Sequence, residues 1–196
     1  MLGKLFKSRP GKQPGHVTVN LNDRVQPIHR GEIYEDPLDA FLRAKKLGAV
    51  DGGGSLLSEV GEIQYCDVEV ELTDTNEDVL ALLVRQVEAL GAPKGSKLIL
   101  GAGKEDIPIG RNEGLAVYLN GTELPDSVYA ECDSNVVYRT FAELLGKEGS
   151  IHSYWQGPTE TALYMYGPSF ERMHALLSNF MASYPLCDKA RVVQIA

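Results

Sequence analysis

Residues 17–48 read VTVNLNDRVQPIHRGEIYEDPLDAFLRAKKLG, and residues 115–146 read LAVYLNGTELPDSVYAECDSNVVYRTFAELLG. The two stretches align without a gap at an offset of 98, and seven of the 32 pairs are identical. Average composition gives roughly two identities by chance. Each stretch opens with apolar residues at every second position, Val17, Val19 and Leu21 in one and Leu115, Val117 and Leu119 in the other. That spacing predicts a half-buried strand. A long connection of 13 residues follows in each, then a helix ended by Gly48 or Gly146. The first helix is expected to begin with Asp36 as its cap and Pro37 at its first position.

The order continues alike downstream. Residues 49–57 predict a strand interrupted by the glycines 52–54, and residues 62–72 predict a long strand. Leu80, Leu83, Val87 and Leu90 recur at helical spacing. Residues 97–100 close the first unit. In the second, Val137, Phe141, Leu144 and Leu145 stripe a helix. Two strands then flank Gly157-Pro158, and Phe170, Met173, Leu177 and Phe180 stripe another helix before a last strand over 191–195. Each unit reads β-α-β-β-α-β. This order resembles the ferredoxin-like superfold. The resemblance is one of pattern over about residues 16–101 and 114–196, and it carries no family motif. It implies an α+β protein of two units, each a four-stranded antiparallel sheet with two helices on one face. Residues 1–15 are expected to be a flexible basic tail and 102–113 a linker.

The 196 residues are 43% hydrophobic and 23% charged, an ordinary globular composition. No apolar run is long enough to span a membrane. Residues 1–15 hold Lys4, Lys7, Arg9 and Lys12 and no acid, so the net charge of −8 leaves −12 on the remainder. So acidic a body repels phosphate backbones, and nucleic acid is not an expected partner. A basic protein is. Cys66, Cys132 and Cys187 are odd in number and form no C-x-x-C pair, which points to reduced thiols in a cytoplasm.

Candidate binding residues follow from alternation. In 62–72, Cys66, Val68, Val70 and Leu72 face the helices, leaving Tyr65, Asp67, Glu69 and Glu71 on the open face as an acidic ladder. In the second unit the same logic places Tyr118, Tyr164 and Tyr166 on the open face. It adds His152 and Tyr154, alternating with Ile151, Ser153 and Trp155. Exposed aromatics mark recognition surfaces, although packing of the two open faces on each other explains them as well. The first long connection offers Arg24, His29, Arg30, Tyr34 and Glu35 as further contacts.

Signals of catalysis fail. Around Gly103-Lys104 the P-loop positions hold Leu98 and Glu105. Neither G-x-S-x-G nor H-E-x-x-H occurs, and the four histidines lack metal-ligand spacing. No metal or cofactor is expected. The sequence therefore points to a non-enzymatic, acidic cytoplasmic binding protein, such as an inhibitor or immunity protein for a basic toxin. Two alternatives stand beside it. One is a small-ligand sensor with tandem ACT-like units, though no ACT-type motif is present. The other is an enzyme with its site between the two sheets, using His152 and the tyrosines.

Overall fold

The computed structural model describes residues 12–101 and 103–196. Most of the basic stretch 1–15 lies outside the described residues. Within the remainder, β1 (Gly15–Leu21), β2 (Gly48–Leu57), β3 (Ile63–Leu72), β4 (Ser96–Ile99) and β5 (Ile107–Ile109) form one antiparallel sheet in the order β2-β3-β1-β4-β5. A second antiparallel sheet holds β6 (Glu113–Asn120), β7 (Ser150–Gln156), β8 (Glu160–Gly167) and β9 (Arg191–Gln194) in the order β7-β8-β6-β9. Apart from β5 the two orders are the same. The chain is thus an α+β protein of two tandem ferredoxin-like units.

The inner faces follow the sequence pattern. Val17, Val19 and Leu21 of β1 meet Cys66, Val68, Val70 and Leu72 of β3 in the first core, with Leu38, Leu42, Leu83 and Val87 from the helices. The second core joins Leu115, Val117, Leu163 and Met165 to Phe141, Leu145, Met173 and Leu177. Phe141 is fully buried, and truncating such a ring to alanine costs about 3–5 kcal/mol.

Three details depart from expectation. The first sheet has five strands, because Ile107–Ile109, inside the expected linker, pairs with the edge of β4. Ile109 is buried there, so the segment caps an edge that would otherwise expose unpaired backbone groups. Gly110 makes this turn possible: its φ is +98°, and a Cβ would lie 1.8 Å from the Pro93 carbonyl oxygen.

The first helix begins at Pro27, not at Asp36. α1 (Pro27–Arg30) runs through a π-helical segment, Gly31–Glu35, into α2 (Asp36–Ala44). Pro37 is therefore interior to the helix. Its ring crowds the carbonyl four residues back and it has no N–H to donate. The wider π turn, in which the Asp36 N–H reaches the Gly31 carbonyl, accommodates it. In the second unit the corresponding stretch stays divided. α4 (Asp126–Glu131) stops at extended Cys132 and Asp133, and Asp133 caps α5 (Ser134–Leu145).

The glycines 52–54 lie within β2, beside a bulge after Val50. Gly53 clears space for Arg30, whose Nε donates to Glu35 Oε1 at 2.5 Å and whose Nη1 donates to the Gly54 carbonyl at 2.8 Å. A Cβ on Gly53 would lie 2.8 Å from Glu35 Oε1. α3 (Glu77–Ala89) is capped by Asn76, and α6 (Phe170–Ser183) by Ser169.

Candidate functional site

The helix-free face of the second sheet does not reach water. Tyr118, Tyr164 and Tyr166 are buried, alongside Ala116 and Ala162. The cover comes from the first unit. Glu62, just before β3, accepts from Tyr118 Oη at 2.6 Å and Tyr164 Oη at 2.8 Å on the same oxygen, Oε1. Arg24 pairs with that oxygen too, and donates to Tyr118 Oη at 2.7 Å. Its guanidinium lies 5.6 Å from the centre of the Tyr164 ring, and its backbone N–H donates to Tyr166 Oη at 3.0 Å. Burial first, then the hydrogen bond to Glu62, pushes the Tyr118 phenol up to about 12 and raises that of Tyr164. Tyr118, Tyr164 and Tyr166 share one face of the sheet, which lies at the junction between units instead of open to water.

β7 corrects one placement. It is bulged between Ile151 and Ser153, so His152 is an extra residue opposite no partner on β8. Beyond a bulge the alternation inverts. Trp155, opposite Ala162, joins the tyrosine face, while Tyr154, opposite Leu163, turns to the helix side. His152 and Tyr154 therefore do not share a face as alternation predicts.

His152 is almost fully buried, and its Nδ1 lies 2.7 Å from Oδ2 of Asp23. A carboxylate only accepts, so Nδ1 carries the shared hydrogen. The same Oδ2 accepts from Tyr34 Oη at 2.6 Å. Asp23 is 0% exposed, and its Oδ1 has no hydrogen-bond partner among the described residues. Burial and the Asp23 charge hold the phenols of Tyr34 and Tyr166 well above the ordinary tyrosine range. The π segment explains the geometry: Tyr34 turns inward to Asp23 while Glu32 and Ile33 face outward into a cleft.

That cleft, of about 670 Å³, lies where the two units meet. It is lined by His29, Glu32 and Ile33 of the first unit and by Leu119, Ile151 and Leu163 of the second. His152 and Ser153 lie at its floor, and Asn135, Tyr138 and Tyr154 stand at its rim. Ser153 Oγ accepts from the Gln26 N–H at 3.1 Å and bonds His29 Nδ1 at 3.0 Å, fastening the rim of one unit to the other. Asp23, Glu32 and Glu62 were not singled out by the sequence. The available signal is positional: Asp23 is the second residue past β1, where the matched residue of the second unit is Gly121.

The acidic ladder occupies the outer face of the first sheet. Asp67 accepts from Asn20 at 2.7 Å, and Glu69 accepts from Thr18 at 2.8 Å and meets His16 at 2.6 Å. Glu71 is exposed and Tyr65 half-buried. The structure therefore separates the sequence candidates into two groups, the ladder on one face and Tyr118, His152, Tyr164 and Tyr166 at the junction.

Among the described residues no helix is long and apolar enough to cross a membrane, and no cluster of three or more His, Cys, Asp or Glu is arranged to hold a metal ion. No protein-family model matches the chain, and no curated protein matches it. Solved structures do. One is an unknown protein from Galdieria sulphuraria, 13% identical over 93% of this chain and 96% of that one, with a TM-score of 0.26. The first two RRM domains of the yeast poly(U) binding protein Pub1 are 7% identical over 92% and 99%, at 0.24. The regulatory subunit of aspartate kinase from Thermus flavus is 13% identical over 86% and 94%, at 0.28. Likeness this distant transfers no functional residue to this chain.

Proposed function

We propose that the chain is a binding protein whose ligand, a small organic molecule, occupies the cleft between the units. The observation that carries this reading is the cleft itself. Its volume of about 670 Å³ falls within the ~300–1,000 Å³ of small-molecule sites. Apolar walls and a few convergent polar groups are the usual lining of such sites. The only hydroxyl next to His152 in the chain, that of Ser153, is engaged by Gln26 and His29.

The test is a fragment screen by thermal shift, followed by calorimetry on wild type and Asn135→Trp. Asn135 is exposed at the rim, so the indole narrows the cleft without entering a core. A ligand at about one hundred times its Kd should add roughly 2.7 kcal/mol to stability, or about 5–10 °C in Tm. The variant should fold normally and lose the effect. Ligands that bind both proteins equally, or a screen without ligands, would reject the reading.

A second reading is favoured by the outer face of the first sheet. The ladder is uncovered, and Leu56, 48% exposed, stands opposite Tyr65 beside it. An apolar spot rimmed by acids suits a basic protein, and inhibition of a basic toxin is its most specific form. A cytoplasmic address is part of the same proposal, supported by three free cysteines, with Cys66 and Cys187 buried.

A further inference from the structure

We propose that the ligand of the cleft is an organic cation: a protonated amine carried on an aromatic or branched aliphatic body. The proposal rests on the cleft being the ligand site and adds the chemical class. The cleft presents acceptors. His152 Nδ1 is held by Asp23, and its Nε2 has no hydrogen-bond partner recorded among the described residues. Glu32 faces the cleft with no hydrogen-bond or ion-pair partner recorded among the described residues. Neither lysine nor arginine lines it. The nearby guanidiniums are already held, Arg24 by Glu62 and Arg30 by Glu35.

Behind His152, the fully buried Asp23 keeps one oxygen without a partner among the described residues. At the rim, the rings of Tyr138 and Tyr154, 43% and 44% exposed, offer π faces to a cation. The net charge of −8 adds a long-range attraction of the same sign. A carboxylate or phosphate ligand would meet Glu32, with neither lysine nor arginine in the lining to offset the repulsion. A purely apolar ligand would leave Glu32 and His152 Nε2 unmatched.

The probes are 2-phenylethylamine, 2-phenylethanol and 3-phenylpropanoate, titrated separately into the full chain by calorimetry at pH 7.5 and at two salt concentrations. The amine should bind about tenfold more tightly than the alcohol, the advantage of a desolvated cation over aromatic and carboxylate partners. Added salt should weaken the amine and leave the alcohol unchanged. The carboxylate should not bind. Glu32 is exposed, so Glu32→Gln should fold normally; it should bring the amine down to the alcohol's affinity.

Carboxylate binding as tight as that of the amine would overturn the proposal, as would an amine preference that survives Glu32→Gln. If Asn135→Trp still blocks the probe that binds, the cleft remains the ligand site and only the class is wrong. If no probe binds, the amine class is rejected, and the fragment screen decides the cleft independently.

Discussion

The outer faces of the two sheets hold different residues at matched positions. In the first, β1 presents His16, Thr18 and Asn20 opposite Glu71, Glu69 and Asp67 of β3. In the second, β6 presents Gly114, Ala116 and Tyr118 opposite Tyr166, Tyr164 and Ala162 of β8. The inner faces keep the same apolar alternation. One face is a hydrogen-bonded polar lattice in water. The other pairs small residues with tyrosines, and the small residues leave room for the rings. A Cβ on Gly114 would already lie 2.7 Å from the Tyr166 ring. The inner face specifies the fold and tolerates duplication; the outer face decides what each copy touches.

Four experiments break or sharpen that contrast. The most severe places the first unit's residue in the second. Ala162→Asp, at the position matched to Asp67, introduces a carboxylate into the buried tyrosine face, where Ala162 is fully buried. An uncompensated buried charge costs about 3–5 kcal/mol, a fall in Tm of roughly 6–20 °C at this size. A loss below about 1 kcal/mol by thermal unfolding would show that the second face is open to water.

Truncating one acid at each face, Glu62 at the junction and Glu69 on the ladder, should separate the faces next. Glu62→Ala leaves two phenols and Arg24 without their acceptor at a nearly closed junction, and should cost about 2 kcal/mol. Glu69→Ala removes a half-exposed partner of His16 and should cost about 0.5 kcal/mol or less. Equal losses in chemical denaturation would erase the distinction.

Alkaline pH probes the tyrosines. The phenols of Tyr34, Tyr118, Tyr164 and Tyr166 are raised in the folded protein, whereas in the unfolded chain they titrate near about 10. The unfolded chain therefore loses its protons first. Stability is fully present below about pH 10 and is lost as pH rises toward the folded value, about 12 for Tyr118. Tm should fall by a few degrees between about pH 9 and 11, with the phenolate absorbance of these four rings appearing only as the protein unfolds. A flat Tm, or early phenolate at all nine tyrosines, would place these rings in water.

The smallest effect belongs to the ladder. Replacing Asp67, Glu69 and Glu71 with Asn, Gln and Gln should change stability by no more than roughly 0.5 kcal/mol each. If a basic protein docks there, the change should slow association and flatten its salt dependence. An unaltered association rate would remove this face from consideration.

The sequence reveals the fold because Val17, Val19, Leu21 and their counterparts repeat at a period that only the inner face of a strand requires. The junction is less legible. The tyrosines could be grouped, but what covers them depends on how two units dock, which no local period encodes. His152 shows the limit most sharply. One unpaired residue in β7 inverts the faces of Tyr154 and Trp155, and nothing in SIHSYWQ marks it. Likewise Pro37 reads as a helix start, because a π turn that admits an interior proline has no signature of its own.

The polar outer face of the first sheet also bears on synthesis. Chains emerge from the ribosome in order, and units tend to fold as they appear. The unit made first carries the polar outer lattice and tolerates waiting in water. Tyr118, Tyr164 and Tyr166 follow more than ninety residues after Arg24, and about fifty or more after Glu62. Their cover is in place before the adhesive surface is made. Exchanging the order of the two units would leave the same contacts available but present the tyrosine face uncovered to every neighbouring nascent chain.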